Sequence, residues 1–444
     1  MEHKTMKIIT TDYNSDIYWR ENIVPITPVG SMNIINVYPE ITGQEIEGFG
    51  GAFTESSGYN YAGLDPKAKA QFLQAYFTPE GLNYQLGRTH INSCDFALSN
   101  YAAVSDEADR EFKTFTLERE KEYILPLIKD ALQRCGNELK FILTPWSPPA
   151  FMKTNGEMNN GGRLKAEHQS TWARYIARYI KEMQAQGLDI QYLTVQNEPA
   201  AVQTWDSCCF SAEEEMEFVR DYLGPTLESQ GLSSVKILIW DHNKEVVYER
   251  ASTILADRKA ASYIYGIAVH WYTGDHFEGL SLVKDQYPDK QIFFTEGCIE
   301  FSRFKDDQIG NAEMYAHDMI GDFNHGLSAF LDWNLLLDAN GGPNHAKNYC
   351  AAPIICTSDK SRIEKKLSYY YIGHFSRYIQ KGARNIAFTK YCSEVEVTAF
   401  QNPDGQRVLV LLNRCQRNLP VTIREQARGA DLTLQPNTIA TICY

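Results

Sequence analysis

"IQYLTVQNEP", residues 190–199, begins as an apolar run and ends with a carboxylic acid, Glu198, between an amide and a proline. The apolar run predicts a buried strand at 190–196. Burying an ionised carboxylate without a partner costs a large free energy, so Glu198 is expected to leave the core where the strand ends. In a parallel barrel, that end of a strand opens into the pocket formed by the βα loops. The stretch therefore predicts both a barrel strand and a site residue.

The same pattern recurs along the chain as short apolar segments separated by helical periodicity. Helices are predicted at 66–77, 117–135 and 168–186, and another begins at Ser211, which forms an S-x-x-E capping box with Glu214. The strand candidates are 45–50, 84–91, 139–144, 190–196, 235–240, 264–269, 291–295 and 327–333. Eight such strands, most of them followed by a helix, predict an α/β fold of the (β/α)₈ TIM-barrel type. A doubly wound sheet is the alternative, but no GxGxxG or phosphate-binding loop follows an early strand.

The end of the chain has a different pattern. Residues 386–443 predict short antiparallel strands, with a hairpin turn at 402–405 ("NPDG"). Because a segment this short makes only a thin sandwich, N-terminal residues 6–40 are expected to add strands to it. We therefore predict N-terminal strands in 1–44 that join the sandwich, a catalytic barrel at 45–380 and a C-terminal β-sandwich at 381–444.

Composition narrows the class of protein. The 444 residues are 43% apolar and 12% aromatic, which argues against long disorder. A net charge of −13 repels phosphate backbones, so nucleic acid is not an expected partner. The first 20 residues contain no apolar stretch typical of a signal peptide or membrane anchor, and the ten cysteines favour reduced thiols. We expect a cytoplasmic protein without a transmembrane segment, with export by another route left open and the oligomeric state unknown.

Two glutamates carry the chemical prediction. Glu198 follows the fourth strand and Glu296, in "FFTEG", follows the seventh, so both carboxylates are expected at the barrel mouth. One Glu after a strand is more often a solvated loop residue, but two facing acids are what hydrolysis of a glycosidic bond requires. One acid protonates the leaving oxygen while the other remains ionised. Arg88 is expected at the end of strand 2, where its charge keeps Glu296 ionised, and Asn197 is expected to donate to a sugar hydroxyl.

Aromatic and polar residues follow the same strands. Indole faces with carboxylates and amides around them suit a sugar, which has flat C–H faces and a rim of hydroxyls, although each aromatic alone is more often core packing. The residues are Asp95, Phe96, Trp146, His270, Trp271, Tyr272, Trp333 and Asn334. Asp241 with His242, or His345, are candidate metal ligands, but their spacing matches no known metal motif. No GxSxG elbow is present, and we expect neither a metal nor a cofactor.

An ordered set of motifs resembles glycoside hydrolase family 30, the family of lysosomal glucocerebrosidase, and especially its bacterial glucosylceramidase-like members. The resemblance covers about 45–380, and the terminal segments resemble the family's side β-sandwich. The motifs are "GFGGAFTESSG", "SCDF", "TPWSPPAFMKTNG", "TWARY", "VQNEP", "GIAVHWY", "TEGC", "DWNLLLDANGGPNHAKN" and "IGHFSRYI". The resemblance implies a retaining β-glycosidase with Glu198 as acid/base and Glu296 as nucleophile. It further implies sugar-binding residues Asp95, Trp146, Asn197, Trp333 and Asn348, with Arg88, His270 and Tyr272 around the nucleophile.

The sequence also departs from the lysosomal pattern. His345 replaces an aromatic residue, and the loops "TWDSCCFS" and "WDHNKE" resemble only the bacterial members. These loops are expected to contact the leaving group. The expected substrate is therefore a β-glucoside or a glucosylated lipid, with an endo-β-1,6-glucanase as the second hypothesis. A carbohydrate-binding protein that has lost catalysis is the alternative of another class.

Overall fold

The computed structural model describes residues 5–28, 33–305 and 307–444. Its centre is a closed barrel of eight parallel strands, each paired with its neighbours around the ring. The strands, numbered along the chain, are β1 Gly48–Ala52, β2 Leu86–Ile91, β3 Lys140–Pro145, β4 Asp189–Thr194, β5 Lys236–Asn243, β6 Ile264–His270, β7 Gln291–Glu296 and β8 Leu327–Asn334. All eight overlap the predicted segments, which confirms the barrel and shows that the doubly wound alternative is wrong.

The interior of the barrel is filled by side chains. Tyr192 and Phe293 lie at its centre with ring centroids 5.0 Å apart. One buried cluster comprises Leu86, Ile142, Tyr192, Leu238, Ala268, Phe293, Ala329 and Leu331, drawn from seven of the strands. A packed interior has no room for a ligand, so a binding site has to lie at the strand ends.

Helices surround the barrel at the predicted positions, with one interruption. The helix predicted at 117–135 breaks at Tyr123, because Pro126 has no N–H to donate to the carbonyl of Glu122 and its ring crowds that turn. The capping box at Ser211 forms as predicted, with hydrogen bonds of 3.2 and 2.7 Å to Glu214. The helices are Glu55–Gly63, Pro66–Phe77, Glu118–Glu122, Ile124–Arg134, Gln169–Ala185, Ala212–Phe218, Gly224–Ser229, Val247–Leu255, Arg258–Tyr263, Phe277–Gln286, Gln308–Asn324 and Leu367–Ser376. Within the described ranges, none of these combines the length and apolar character that crossing a bilayer requires.

The two ends of the chain form one ten-stranded sheet, as predicted. In spatial order its strands are Ile17–Pro25, Thr5–Asp12, Thr438–Cys443, Arg407–Asn413, Val395–Gln401, Arg384–Lys390, Ile34–Glu45, Leu419–Glu425, Arg428–Leu434 and Thr27–Pro28. Strands far apart in this order share one apolar core, which includes Met6, Leu411 and Val421, so the sheet folds over itself as a sandwich. The hairpin turn closes where predicted, with Gly405 N–H donating to the Asn402 carbonyl at 2.8 Å. A small third sheet contains Leu337–Asp338, Ile354–Cys356 and Ile363–Lys365.

The predicted state of the cysteines is also observed. All ten lie within the described residues, and each is a free thiol. The adjacent pair Cys208 and Cys209 is no exception. The fold is therefore stabilised by packing and hydrogen bonds rather than by cross-links.

A buried histidine connects the barrel to the sandwich. His374, in the helix Leu367–Ser376, lies with each ring nitrogen 2.8 Å from a threonine hydroxyl, that of Thr441 at Nδ1 and that of Thr11 at Nε2. The Thr441 hydroxyl donates to the His374 carbonyl, so its oxygen accepts from Nδ1–H and Nε2 accepts from Thr11. Burial, with a smaller contribution from Arg377, lowers the pKa of His374 to about 3.

This lowered pKa predicts a specific loss of stability in acid. Between the unfolded pKa of about 6.5 and the folded value, the unfolded chain binds a proton that the folded protein does not. Stability through His374 therefore falls as pH falls, by about 1.4 kcal/mol per pH unit. His374→Gln removes this dependence, so its Tm is expected to drop less than that of the wild type between pH 6.5 and pH 4.5. The control is exposed His276→Asn, which should follow the wild type; equal slopes for His374→Gln and the wild type would contradict the assignment.

Candidate active site

The carboxyl ends of the barrel strands open into a polar cavity of about 280 Å³. Glu296 is the last residue of β7, and Glu198 lies in the loop after β4. Both carboxylates line this cavity, as do six of the other predicted site residues, namely Asp95, Trp146, Asn197, Tyr272, Trp333 and Asn348. Residues from the motifs of the family resemblance thus line one cavity, although they are spread over more than 250 positions of the chain.

Glu296 is held from two sides. Arg88 donates through Nη1 to Oε2 at 2.6 Å, and the Tyr272 hydroxyl donates to Oε1 at 2.9 Å. The residue is 7% exposed, and burial raises the pKa of its carboxyl, against which the positive charges of His270 and Arg88 favour the ionised form. These contacts fix the carboxylate in one orientation at the cavity wall.

Arg88 lies deeper than the sequence predicts. It is the third residue of β2 rather than its end, and it is fully buried beneath the cavity. Its guanidinium also donates through Nη2 to Asp241 at 2.9 Å and to Asn197 at 2.8 Å. The predicted contact with Glu296 is present, but Arg88 supports the site from behind instead of lining it.

Glu198 has a different environment. Its Oε1 is 3.2 Å from Nδ1 of His270, and Gln203 donates to its Oε2 at 3.4 Å. Burial would raise the pKa of Glu198, but the hydrogen bond with His270 and the nearby His242 lower it to about 2. Burial likewise opposes the charge on His270, yet the carboxylates of Glu296, Asp241 and Glu198 raise its pKa to about 9. These opposite pKa shifts favour the proton on His270 in the ligand-free protein, whereas the acid/base role implied by the family resemblance predicts a proton on Glu198.

Asp241 is a site residue that sequence reasoning considered only as a metal ligand. It is fully buried and accepts hydrogen bonds from His270 Nε2 at 3.1 Å and from the Thr295 hydroxyl at 2.6 Å. Burial alone would raise the pKa of its carboxyl, but Arg88 and His270 hold that pKa far below its usual range. Asp241 thus completes a continuous chain of contacts from Glu198 through His270 and Arg88 to Glu296. Its sequence signal is that of Glu198, an acid directly after an apolar strand.

Backbone conformation marks the same loops. Glu198 and Asp241 adopt positive φ angles of 44° and 47°, which non-glycine residues rarely occupy. The Glu198 N–H donates to the Asp241 carbonyl at 3.0 Å, and the Asn197 N–H donates to the Pro145 carbonyl at 2.9 Å. Such conformations cost on the order of 1 kcal/mol each and persist where surrounding contacts enforce them. The ends of β3 and β5 are therefore tied to the loop after β4 around Glu198.

Two tryptophans form one wall of the cavity. Trp146 and Trp333 stack with ring centroids 5.4 Å apart, and the Arg88 guanidinium lies 4.7 Å from the Trp146 ring. On the polar side, Asn348 donates to Asp95 at 3.3 Å. An apolar wall facing amides and carboxylates is the composition expected of a sugar site.

The remaining sequence candidates have structural positions. Trp271 packs against Tyr315 at 4.7 Å and Phe96 packs edge-on against Trp333 at 5.9 Å, while Asn334 accepts from the Thr54 hydroxyl at 2.6 Å. His345 hydrogen-bonds Asp206 at 3.0 Å. Of these candidate ligands, His242 lies in a group with Glu198 and His270 whose ligand atoms are within 4.8 Å of one another, and that group contains neither Asp241 nor His345. Trp205 and Asn243, from the loops "TWDSCCFS" and "WDHNKE", also line the cavity. Gln203, Glu300 and Arg303 line it as well, and they lie in no motif that could have identified them.

The arrangement has a defined chemical capacity. One carboxylate lies between a cation and a phenol, which suits an anion that attacks or stabilises positive charge. The other shares a hydrogen bond with a protonatable imidazole, which suits proton transfer. Two such groups beside a stacked indole wall fit acid-assisted cleavage of a glycosidic bond.

Comparison with known proteins identifies one family over both domains. The Glycosyl hydrolase family 30 TIM-barrel domain matches residues 46–379, and the Glycosyl hydrolase family 30 beta sandwich domain matches residues 382–442. Lysosomal acid glucosylceramidase of Mus musculus is 30% identical over 426 residues, which cover 92% of this chain and 82% of the mouse protein.

Solved structures show the same relationship. SrfJ from Salmonella typhimurium superposes with a TM-score of 0.96 at 41% identity and covers 99% of both chains. The endo-β1,6-glucanase BT3312 superposes with a TM-score of 0.89 at 29% identity, again with 99% of both chains covered. With both domains matched and the paired carboxylates at the mouth of the barrel, the chain belongs to glycosyl hydrolase family 30 and is a glycoside hydrolase.

Proposed function

We propose that this protein is a retaining β-glycosidase of the glucosylceramidase type that hydrolyses β-D-glucosides through a covalent glycosyl-enzyme intermediate. Glu296 is the nucleophile and Glu198 the acid/base. The observation that carries the proposal is the unequal setting of two carboxylates in one cavity. Arg88 and Tyr272 donate hydrogen bonds to Glu296, while Glu198 shares one hydrogen bond with His270.

In the first step, Glu296 attacks the anomeric carbon as Glu198 protonates the leaving oxygen. The proton reaches Glu198 from His270, whose Nδ1 lies 3.2 Å from Oε1. Asp241, hydrogen-bonded to Nε2, keeps the imidazole oriented for this transfer. Proton donation therefore depends on the loop contacts behind Glu198 as well as on Glu198 itself.

In the second step, Glu198 takes a proton from water, which attacks the anomeric carbon and releases the sugar with its β configuration retained. Arg88 and Tyr272 stabilise the Glu296 carboxylate as it leaves. The mechanism requires the two carboxyl groups to lie about 5 to 5.5 Å apart, whereas inversion requires about 6.5 to 9.5 Å.

The sugar of the cleaved bond occupies the part of the cavity next to the indole wall. The stacked pair Trp146 and Trp333 packs against its C–H face. Asp95, Asn197 and Asn348 hydrogen-bond its hydroxyls, since their side chains line the same volume. Glucose is the proposed sugar because of the likeness to the mouse glucosylceramidase.

Exposed apolar side chains next in the chain to cavity-lining residues support a lipid leaving group. Val202 is 69% exposed, Phe301 47% and Tyr349 40%. Each is the chain neighbour of a residue that lines the cavity, respectively Gln203, Glu300 and Asn348. A lipid held at the entrance would cover this apolar surface.

A β-1,6-glucan is the second candidate substrate. Beyond the carboxylate pair, the cavity is lined by Gln203, Asn243, Glu300 and Arg303, whose polar groups suit the hydroxyls of a second sugar. The likeness to the glucanase BT3312 favours the same reading.

Substitution of the two glutamates tests catalysis against mere carbohydrate binding. Glu296→Gln is expected to abolish hydrolysis of an aryl β-glucoside, because no covalent intermediate can form. Glu198→Ala is expected to lower turnover about 10² to 10⁴-fold, with azide restoring it and giving a β-glycosyl azide. Chromatography of the product measures the rate for both variants, and NMR determines the configuration of the glycosyl azide. Exposed Glu249→Gln is the matched control; an α-azide would refute retention, and unchanged activity of Glu296→Gln would refute the nucleophile.

The leaving group is tested by comparing substrates on the wild type and on Val202→Ser. Glucosylceramide in detergent micelles is expected to be hydrolysed faster than β-1,6-glucan. Loss of an apolar contact of about one methylene, worth about 0.8 kcal/mol, should lower kcat/KM for glucosylceramide about fourfold and leave an aryl glucoside unaffected. Faster release of sugars from β-1,6-glucan, with no effect of Val202→Ser on either substrate, would select the glucanase.

A further inference from the structure

Glu198 and His270, which the proposed mechanism uses, converge with a third side chain, His242, which it does not use. Glu198, His242 and His270 each offer a ligand atom, and these atoms lie within 4.8 Å of one another. Oε1 of Glu198 is 3.2 Å from Nδ1 of His270 and 3.7 Å from Nδ1 of His242. Tetrahedral zinc with bonds of 2.0 to 2.2 Å separates neighbouring ligand atoms by about 3.3 Å. The two separations from Glu198 are close to this value, and the separation between the two imidazoles, at most 4.8 Å, would shorten when both rings bind one ion.

His242 supplies the second observation. The residue is 9% exposed, and its Nδ1 has no hydrogen-bond partner among the described residues. The 3.7 Å separation from Glu198 is too long for a hydrogen bond. A buried ring nitrogen without a partner costs about 1 to 3 kcal/mol, which a bound cation at that nitrogen would remove.

Support behind the ligands is also present. His270 donates through Nε2 to Asp241 at 3.1 Å, so Nδ1 is the nitrogen that faces Glu198 and His242. Asp241 is itself held by Arg88 at 2.9 Å. A carboxylate behind a ligating histidine fixes its tautomer and orientation in protein metal sites.

We propose that Glu198, His242 and His270 form a binding site for Zn²⁺ or a similar divalent transition-metal ion. Two imidazoles and a carboxylate select such ions over Mg²⁺ and Ca²⁺, which prefer oxygen ligands. The ion takes the place of the proton between His270 and Glu198, so one proton is released per ion bound. Water from the cavity fills the fourth position.

The consequence of binding is reversible inhibition. A Glu198 oxygen that ligates a metal can neither give a proton to the leaving group nor take one from water. Hydrolysis is expected to fall as the site fills and to return when a chelator removes the ion. Inhibition rests on the proposed role of Glu198, whereas binding of the metal does not, so the two are measured separately.

Binding is tested by calorimetric titration of the full chain with ZnCl₂, alongside MgCl₂. One zinc site is expected in the wild type. His242→Asn removes a ligand, and its zinc affinity should be at least about tenfold weaker, because loss of a residue that only supports a ligand already lowers metal affinity about tenfold. His276→Asn, at an exposed histidine, is the matched control and should bind as the wild type does. Equal zinc affinity in His242→Asn and the wild type would overturn the proposal.

The absorption spectrum of the Co²⁺-loaded wild type gives a readout that depends on no variant. Nitrogen and oxygen ligands give visible d–d bands without a sulfur-to-metal charge-transfer band. A sulfur-to-metal charge-transfer band would place the metal on one of the ten cysteines and refute the site. The absence of any metal binding would refute it too. Aryl β-glucoside hydrolysis is then followed against zinc occupancy. Zinc bound at this site with undiminished hydrolysis would refute the inhibition and also the role of Glu198.

Discussion

The structure of this site depends on a guanidinium buried inside the barrel. Arg88 has no exposed surface, and its charge is balanced by Glu296 at 2.6 Å and Asp241 at 2.9 Å. Removing one partner of a buried ion pair costs about 3 to 5 kcal/mol, since an uncompensated charge remains. The Arg88 contacts therefore hold strands β2, β5 and β7 in one register at the mouth. The orientation of Glu296, and through Asp241 and His270 that of Glu198, follows from this one cation.

The closed barrel places this network in a distinct layer. Below Arg88 the interior is filled by the rings of Tyr192 and Phe293 and by aliphatic side chains. Above Arg88 the stacked Trp146 and Trp333 shield it from the cavity, with the nearer ring 4.7 Å away. Exclusion of water strengthens each ionic contact in the layer. The fold thus places a polar layer between an apolar core and the substrate pocket, and catalytic groups emerge from that layer.

Much of this arrangement could be predicted from the sequence, because the relevant signals are local. Apolar segments ending in an acid located the barrel strands and both glutamates, and the alternating terminal segments located the sandwich. The depth of Arg88 and the role of Asp241 could not be predicted, since both depend on contacts between strands distant in sequence. The proton on His270 instead of Glu198 depends on three carboxylates around one imidazole, which no spacing in the sequence encodes. Pro126 could have predicted the helix break at Tyr123, but the apolar periodicity of 117–135 favoured one continuous helix.

The same physical property gives the site its proton chemistry and its capacity for a metal. A proton moves between two bases only when their lone pairs face each other at hydrogen-bond distance, as Glu198 and His270 do at 3.2 Å. Facing lone pairs can also bind a cation, and a third base then supplies the third protein ligand of a tetrahedral site. In this protein His242, near the end of β5, provides that base. Because the proton and the metal ion compete for the same lone pairs, the contacts that position Glu198 for catalysis are also those that would let a metal ion stop it.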